Sequence, residues 1–248
     1  MIENAVSIQN LKFKYGHLNV INDISLDIPK GISFGLLGSN GAGKTTLIRL
    51  IVGLLKPSTG SVMCLGKRPA PSNAYNIGYM PQLPSLYNEL SVRQNIDFFA
   101  RIYGLKDIKE RRHRVDELIK MVDLWPKRDV SITHLSGGMK QRTSLACAIV
   151  HQPPLILLDE PTVGLDPELR AYFWDYFEGL TRAGNTLIIS SHTMDDAAHC
   201  QKLAFMRDGR IIALGPPDEL RAATGKPGAS LEEAFLYYFR RGEVKNIG

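Results

Sequence analysis

Nine consecutive residues of this chain have the composition of a phosphate-binding loop. Glycines let successive backbone N–H groups turn into one concavity, and such a nest binds anions. In the pattern G-x-x-x-x-G-K-[ST] the lysine reaches the terminal phosphates of a nucleoside triphosphate, and the following hydroxyl ligates Mg²⁺. We therefore expect these two roles for Lys44 and Thr45. The nine residues are Gly38, Ser39, Asn40, Gly41, Ala42, Gly43, Lys44, Thr45 and Thr46.

The residues on either side of this loop predict the elements that such a loop needs. An apolar run at residues 32–37 predicts a strand, and residues 47–55 are apolar at helical spacing. A strand, the loop and then a helix is the context that separates a phosphate loop from a glycine-rich turn with a chance lysine. The dipole of the helix would add to anion binding.

Two adjacent carboxylates follow a second apolar run. Residues 155–158 are Leu-Ile-Leu-Leu, which predicts a buried parallel strand, and Asp159 and Glu160 come directly after them. Ligands bind at the carboxyl ends of strands in open α/β sheets. We expect Asp159 to hold Mg²⁺ through its water shell and Glu160 to polarise the water that attacks a γ-phosphate. The alternative is a pair of solvated loop acids, which the upstream phosphate loop disfavours.

A third motif lies between the first two. Ser136, Gly137 and Gly138 open a predicted helix over residues 139–149. A hydroxyl and exposed N–H groups at a helix N-terminus make a second anion site. An ordinary helix cap is the alternative interpretation. One chain therefore carries two phosphate-binding surfaces that are far apart in sequence.

The rest of the chain predicts the elements that position these motifs. The first 37 residues indicate strands, and residues 91–151 are charged and periodic at helical spacing. Strand and helix patterns return after residue 153, so the helical stretch is predicted to be an insertion between strands. One amphipathic stripe within it comprises Val115, Leu118, Ile119 and Val122. Later elements are predicted as helices at 167–182 and 231–239, a strand at 186–190 and a hairpin turn at Asp208 and Gly209.

Composition limits the class of protein. The 248 residues are 44% hydrophobic and 22% charged, which is typical of globular proteins. The net charge of +5 is too small and too dispersed to indicate nucleic-acid binding by itself. Apolar stretches stay below about 18 residues, so no transmembrane helix is predicted. Cys64, Cys147 and Cys200 lack metal-site spacing, and we expect them to be reduced thiols in the core.

The predicted helical insertion contains a cluster of basic residues. We interpret this cluster as a solvated helix face, and contact with a partner or with lipid headgroups is the alternative. Its members are Lys106, Lys109, Arg111, Arg112 and Arg114.

Together these motifs resemble the nucleotide-binding subunit of an ABC transporter. The similarity extends over nearly the whole chain, and residues 135–138 stand at the position of the family's signature motif. Met139 replaces the glutamine that is often found next, which is a tolerated variation. A simple P-loop kinase would not need this motif, and a chromosome-maintenance ATPase would need a long heptad insertion. Translation factors of this superfamily normally carry two sets of these motifs, and this sequence has one.

The resemblance implies four further site residues. Gln82 matches the Q-loop glutamine, which contacts Mg²⁺ and couples the site to the membrane partner. His192 matches the switch histidine, which contacts the γ-phosphate, and Asp166 belongs to the D-loop at residues 164–166. Tyr15 stands where an aromatic ring stacks on adenine. Each match alone would be an ordinary loop or core residue, but their order and spacing favour the functional roles.

The remaining polar residues near these motifs have no matching role. We expect His134, His151 and His199 to be structural. Asp195 and Asp196 are predicted to stabilise the first turn of a helix, where negative charge is favoured.

The resemblance also implies ligands and an assembly. ATP and Mg²⁺ are the expected ligands, with Thr45, Gln82 and Asp159 around the metal. Two identical or homologous subunits are expected to close head to tail, so that each signature motif meets the other subunit's ATP. The residues that act across this dimer would be Ser136, Gly137, Gly138 and Asp166.

The implied fold is of the α/β class. It is a P-loop NTPase core with a mixed sheet, an N-terminal antiparallel β portion and an inserted α-helical subdomain. We predict one ABC ATPase domain over residues 1–248, with its core at 1–85 and 153–248 and the helical subdomain at about 86–152.

The implied function is ATP hydrolysis that powers transport through a separately encoded integral-membrane permease. The chain would lie on the cytoplasmic face of the membrane, with residues 83–90 and the helical subdomain against the permease and without a nucleic-acid partner. Residues 192–196 and 231–236 resemble those of exporter-type subunits, so we predict export. Import remains one alternative, and a non-transport ATPase that acts on a soluble assembly is the other.

Overall fold

The computed structural model describes residues 3–241 and the backbone of residues 245–246. Within this part of the chain the strands form a three-stranded and a seven-stranded sheet. The strands are β1 (Asn4–Tyr15), β2 (Leu18–Pro29), β3 (Ser33–Leu37), β4 (Thr59–Cys64), β5 (Ile77–Met80), β6 (Leu155–Asp159), β7 (Thr186–Ser191), β8 (Lys202–Arg207), β9 (Arg210–Gly215) and β10 (Lys245–Asn246).

The α-helices pack on both faces of the larger sheet. They are α1 (Lys44–Ile51), α2 (Val92–Ile102), α3 (Ile108–Met121), α4 (Gly137–Ile149), α5 (Pro167–Arg182), α6 (Met194–Ala198), α7 (Pro217–Ala222) and α8 (Leu231–Arg241). Short 3₁₀ turns lie at Pro71–Asn76, Trp125–Lys127 and Ile132–His134. In this described part of the chain no helix is long and apolar enough to cross a membrane.

The smaller sheet is antiparallel, in the order β2-β1-β4. Burial alternates along β1 and β2 because one face of this sheet packs on the core while the other faces solvent. The α/β fold with an N-terminal antiparallel portion and a mixed sheet is therefore confirmed.

The larger sheet has the order β10-β9-β8-β3-β7-β6-β5. Its neighbouring strands are parallel, apart from the antiparallel hairpin of β8 and β9. All residues of β3, β6 and β7 are buried, as continuous apolar strand patterns predict. Because β3, β7, β6 and β5 are adjacent and parallel, their carboxyl ends meet at one edge of the sheet.

Two apolar clusters lie on opposite faces of this sheet. Leu155 and Leu157 of β6 belong to the cluster that includes the smaller sheet and α1. Ile156 and Leu158 belong to the other cluster, which includes helices α2 to α5. Successive side chains of a strand point to opposite faces of the sheet, so β6 packs against both clusters. This packing holds the edge of the sheet at which the strands' carboxyl ends meet.

Helices α2, α3 and α4 follow β5 and precede β6 in the sequence, and they pack against one another. The predicted stripe on α3 is confirmed, since Val115, Leu118, Ile119 and Val122 are each 1% exposed or less. Ser91 and Gln94 form a capping box that begins α2, with each side chain bonded to the other's backbone N–H. The division into core and helical subdomain remains a prediction.

The basic cluster in this region is not simply a solvated face, so that prediction was partly wrong. Arg111 is 7% exposed, pairs with Asp97 at 2.8 Å and donates to the carbonyl of Leu105. Arg114 donates to the carbonyls of Ile149 and Val150 at the end of α4. These two arginines hold helices together, because partly buried guanidinium groups need several acceptors.

An arginine of α4 makes the reciprocal contact. Arg142 donates to the carbonyls of Val122 and Asp123, directly after α3. Each helix therefore satisfies free carbonyls at the end of the other, where positive charge is also favoured by the helix dipole.

Helix α1 is shorter than the apolar periodicity over residues 47–55 indicates. It ends at Ile51, and Gly53 has a φ of 83°, which ends the helix in the left-handed conformation. The three cysteines are buried and unpaired in the core, as predicted.

Candidate nucleotide-binding site

The residues expected at one site follow the four neighbouring parallel strands. The phosphate loop follows β3, Gln82 follows β5, Glu160 follows β6 and His192 follows β7. The sheet order thus brings together segments that are far apart in sequence. The phosphate loop, Gln82 and Glu160 border a pocket of about 310 Å³, and His192 is not among its described lining residues. The pocket is lined by Val20, Asn40, Gly41, Ala42, Gly43, Lys44, Thr45, Thr46, Gln82 and Glu160.

The phosphate loop has the conformation that its glycines predict. Gly41 and Gly43 have φ values of 83° and 104°, in the left-handed region that favours glycine. Helix α1 begins directly after Gly43, so its free N–H groups lie at the loop. The loop is therefore built as an anion-binding nest at a helix N-terminus.

Lys44 lies inside this loop. Its Nζ donates to the carbonyl oxygens of Gly38 at 2.7 Å and Ser39 at 3.2 Å, and the residue is only 6% exposed. Burial lowers the pKa of the Lys44 ammonium below its ordinary value, and the nearby carboxylates of Glu160 and Asp159 oppose that shift. An anionic ligand in the pocket would add a further charge that favours the ammonium form.

Asp159 is fully buried at the end of β6. Its Oδ1 accepts hydrogen bonds from Ser190 Oγ at 2.5 Å and Thr45 Oγ1 at 3.2 Å. Burial raises the pKa of the Asp159 carboxyl, and these two hydrogen bonds oppose the rise. The second carboxylate oxygen, Oδ2, is buried without a hydrogen-bond partner among the described residues.

This arrangement fits Mg²⁺. An unpartnered buried carboxylate oxygen costs free energy unless a cation or a donor reaches it. Asp159 and Thr45 supply the hard oxygen ligands that Mg²⁺ prefers, usually with several waters. The sequence prediction placed both residues at the metal, and the structure brings them within hydrogen-bond distance. Gln82 is farther along the same edge and contacts Glu160 instead.

Glu160 is the centre of a small polar network. Gln82 Nε2 donates to its Oε2 at 3.3 Å, and His192 Nδ1 lies 3.3 Å from its Oε1. Its backbone has a φ of 54°, an unusual conformation for a residue with a side chain. Hydrogen bonds to Ser190 and Gln141 hold that conformation. The N–H of Glu160 donates to Ser190 Oγ at 3.0 Å and to the Ser190 carbonyl at 3.2 Å, and Gln141 Nε2 donates to the Glu160 carbonyl at 3.1 Å.

Gln141 and Ser190 are site residues that sequence reasoning did not identify. Ser190 contacts both Asp159 and the backbone of Glu160, and Gln141 connects α4 to the same backbone. Their only signals in the sequence are their places within motifs, at the end of a buried strand and on the third residue after Gly138. Neither position reveals a contact with residues 159–160.

Other expected site residues lie away from this pocket. Ser136 Oγ caps α4 by accepting from the N–H of Met139 at 3.3 Å, and Asp166 caps α5 by accepting from the N–H of Leu169 at 3.0 Å. Neither residue lines the pocket of its own chain. Gly137 has open space where a Cβ would stand, and at Gly138 the nearest atom is 3.5 Å away.

Tyr15 also lies outside the pocket lining. It is 44% exposed near the end of β1, and its ring packs edge-on against Phe13 with centroids 4.8 Å apart. One face of an exposed aromatic ring is free to stack on a base. Its role in adenine binding stays a prediction.

Comparison with known proteins identifies the family to which this chain is similar. The family model described as ABC transporter matches residues 21–163, more than half of the chain. The chain is 36% identical to a Nod factor export ATP-binding protein I of Cupriavidus metallidurans over 219 residues, which cover 87% of this chain and 72% of that protein.

Longer relatives match over only part of their length. The chain is 34% identical to the probable multidrug ABC transporter ATP-binding protein YbhF of Escherichia coli, with 94% of this chain and 41% of that protein covered. It is 36% identical to ABC transporter G family member 20 of Dictyostelium discoideum, of which it covers 33%. The chain thus spans about two fifths of the first of these relatives and one third of the second.

Solved structures agree with this assignment. The structure of an ATP binding subunit of an ABC transporter is 30% identical to this chain and superposes with a TM-score of 0.88. The superposition covers 95% of this chain and 99% of that one. A dimeric ATP-binding cassette in a post-hydrolysis state, bound to ADP and Pi, is 25% identical with a TM-score of 0.80, over 85% of this chain and 98% of that one. With its phosphate loop and carboxylates at one edge of the sheet, the chain belongs to the ABC transporter family, and it is an ATP-binding and ATP-hydrolysing domain of that family.

Proposed function

We propose that this chain powers export of a substrate through a separately encoded integral-membrane permease, from the cytoplasmic face of the membrane. The observation that carries the proposal is the placement of Glu160 beside the phosphate-loop pocket, with Gln82 and His192 each within 3.3 Å of one of its oxygens. One relative named above is described as a Nod factor export ATP-binding protein, which supports export, and another is described as a probable multidrug ABC transporter ATP-binding protein.

ATP binding would reorganise Lys44. Its Nζ now donates to two carbonyls of the loop, and phosphate oxygens would offer it charged acceptors in their place. The backbone N–H groups of residues 41–46 would receive the remaining phosphate oxygens. Thr45 and Asp159 would hold Mg²⁺, with Gln82 near it, and the bound ion would neutralise charge on the phosphates.

Glu160 would act as the general base for hydrolysis. Its carboxylate is 7% exposed at the pocket wall, so it can accept a proton from a water that attacks the γ-phosphate. His192 would contact that phosphate, and Gln82 would orient Glu160 through its amide. Catalysis would then consist of positioning and charge stabilisation, as is general for phosphoryl transfer.

A second subunit would complete each site. Ser136, Gly137 and Gly138 form an accessible helix N-terminus that does not line its own chain's pocket. Such a terminus would offer donors to the γ-phosphate of another subunit in a head-to-tail dimer, with Asp166 beside it. The second subunit would be a copy of this chain or a homologue. A dimeric cassette among the solved structures supports this arrangement.

The permease would dock on the segment after Gln82 and on the neighbouring helical subdomain. Leu83 is 82% exposed and Tyr87 is 50% exposed, which is unusual for large apolar side chains on one short loop. Leu86 is partly buried against the core, so its replacement would also disturb folding. Leu83 is therefore the sharper probe of the docking surface.

Replacing Leu83 by Asp should release the chain from the membrane. A charge would be desolvated in an apolar interface, so we expect the bound fraction to fall while ATP hydrolysis by the purified chain stays within twofold. The measurement is sedimentation of membranes from the source cell after addition of purified chain, with and without ATP. Leu236→Asp is the matched control, because Leu236 is 47% exposed on α8.

Three results would contradict this proposal. Wild-type chain that stays entirely in the supernatant would exclude a membrane partner, and Leu83→Asp that sediments like Leu236→Asp would move the docking surface elsewhere. Sedimentation that persists after protease treatment of the membranes would assign binding to lipid and not to a permease.

A further inference from the structure

Asp196 is a buried carboxylate that the proposed mechanism does not use. It lies in α6 and is only 3% exposed. Its Oδ2 accepts from Thr162 Oγ1 at 2.6 Å and from Ser191 Oγ at 2.9 Å, and its Oδ1 accepts from Trp174 Nε1 at 3.1 Å. The expectation that Asp196 serves only the first turn of a helix was therefore incomplete.

The three donors come from three different segments. Thr162 lies in the loop that runs from Glu160 to Asp166, and Ser191 directly precedes His192. Trp174 belongs to α5, the helix that Asp166 caps. One carboxylate thus joins the segment that carries His192 to the segment that carries Glu160 and Asp166.

Burial of the Asp196 carboxylate makes its hydrogen bonds important for the stability of the fold. A buried carboxylate costs free energy unless it is paired or hydrogen-bonded, and no ion pair with Asp196 occurs among the described residues. Three neutral donors therefore stabilise the carboxylate, and displacing any one of the three segments would remove one of these hydrogen bonds from a buried group. Such a network fixes the relative position of its segments more strictly than apolar packing does.

Ser191 carries this restraint to the switch histidine. The Ser191 hydroxyl donates to Asp196 and accepts from the N–H of Thr193 at 3.0 Å. The residues directly before and directly after His192 are therefore joined by a hydrogen bond. The His192 side chain is 42% exposed, and among the residues that the structure describes its polar contact is with Glu160 Oε1 at 3.3 Å. The position of the imidazole therefore depends on the backbone that the Asp196 network holds.

We propose that Asp196 is a positioning residue for ATP hydrolysis, which fixes His192 against Glu160 by bonding Thr162, Ser191 and Trp174 at once. This inference rests on the proposed catalytic roles of Glu160 and His192. It adds that the loop at residues 160–166 and the switch histidine move as one unit, because the same carboxylate holds both.

The test is a double-mutant cycle on ATP hydrolysis by the purified chain. Asp196→Asn is nearly the same size but has one acceptor oxygen where Asp196 has two, so at least one donor must reorient. We expect kcat to fall by about tenfold with KM for ATP within twofold. In a His192→Ala background the same substitution should lower the residual kcat by less than twofold, because the group that it positions is gone.

Controls separate positioning from general stability. Asp195→Asn changes the exposed neighbour in the same helix turn, and it should leave kcat within twofold. Rates are compared at least 15 °C below the thermal midpoint of each variant. Thr162→Val, which removes one donor and keeps the shape of the side chain, is the second variant should Asp196→Asn fold poorly, and it should show the same dependence on His192.

A second measurement needs no turnover. Amide hydrogen exchange of residues 162–166 and 192–194 should accelerate together in Asp196→Asn and in Thr162→Val, and it should not change in Asp195→Asn. Faster exchange in only one of the two segments would contradict the proposal that Asp196 holds both.

The outcomes distinguish this inference from the proposed function. Unchanged kcat in His192→Ala would overturn the catalytic role of His192, and with it the route by which Asp196 acts. A full effect of His192→Ala together with unchanged kcat in Asp196→Asn would overturn only the positioning role. An equal loss from Asp196→Asn in both backgrounds would show that Asp196 stabilises the fold without acting through His192.

Discussion

The chemistry that we propose for this domain depends on a few side chains held in unusual environments. Glu160 combines a left-handed backbone with burial, and Asp159 combines burial with an unpartnered oxygen. Each feature costs free energy on the order of 1–3 kcal/mol. Surrounding contacts maintain them, chiefly Ser190, which donates to Asp159 and accepts from Glu160. Local cost of this kind is typical of residues that bind a metal or activate water.

Tyr15 tests adenine recognition at the scale of one residue. Tyr15→Ala should weaken ATP binding by about 1–2 kcal/mol, the usual effect of losing an aromatic ring that stacks on a base. GTP should be affected equally, because stacking uses the face of the base and not its edge. Titration with a fluorescent nucleotide measures both affinities. Tyr172→Ala, which removes a ring of similar exposure on α5, should change neither, and equal affinities in all three proteins would make Tyr15 a packing residue.

At the scale of elements, the hairpin turn of β8 and β9 supports the phosphate loop from outside the motif. The N–H of Gly209 donates to the Ala42 carbonyl at 3.1 Å, and its carbonyl accepts from the N–H of Asn22 at 2.8 Å. A Cβ on Gly209 would lie 2.2 Å from the carbonyl oxygen of Val20, which lines the nucleotide pocket. Only glycine allows the turn to approach both β2 and the loop.

Gly209→Ala should therefore lower ATP affinity by about tenfold, because the turn must move and displace the loop. Gly225→Ala is a closely matched control: both glycines have a φ of +73°, but a Cβ at Gly225 meets no atom within 4 Å. Both variants should lose roughly 1 kcal/mol of stability from backbone strain, and Gly209→Ala should lose more because its Cβ also clashes with the Val20 carbonyl. If the two variants bind ATP equally well, the turn does not position the loop.

The elements also show what a sequence can predict. Helix α5 matches its predicted bounds of 167–182, because Asp166 caps it and Pro167 occupies a first-turn position where a missing N–H costs nothing. Strand β7 likewise agrees to within one residue with its predicted bounds of 186–190. Local signals of this kind are written within a few residues, so they need no knowledge of tertiary contacts.

Tertiary contacts account for what the sequence did not predict. From the sequence alone, Arg111 and Arg114 are expected on the surface. The fold places Asp97 beside Arg111 and the end of α4 beside Arg114. Asp196 resembles a helix-terminal acid until Thr162, 34 residues earlier in the chain, bonds to it. The proposed catalytic residues could be named from the sequence because each lies in a recognisable motif. The contacts of their supporting residues, such as Ser190 and Gln141, have no signal in the sequence and were found only from the structure.

At the scale of the whole molecule, the separation of Ser136 from the pocket of its own chain motivates the head-to-tail dimer. Glu160→Gln should accumulate as an ATP-bound dimer, because ATP remains uncleaved between the subunits. Size-exclusion chromatography with and without ATP measures this. Adding Ser136→Arg should abolish the dimer, since a large cation would enter the other subunit's nucleotide site. A dimer that survives Ser136→Arg would contradict this interface, and an ATP-bound Glu160→Gln monomer would mean that the permease must hold the pair together.

Hydrolysis by Glu160→Gln tests the central claim most directly. Glutamine is nearly isosteric with glutamate and can still hold a water, but it cannot take the proton of that water. The purified variant should bind ATP with an affinity within about threefold of wild type and release phosphate at least about a hundredfold more slowly, the usual loss for removal of a general base. Phosphate release at the wild-type rate, with ATP bound normally, would contradict the assignment of Glu160 as the catalytic base of this domain.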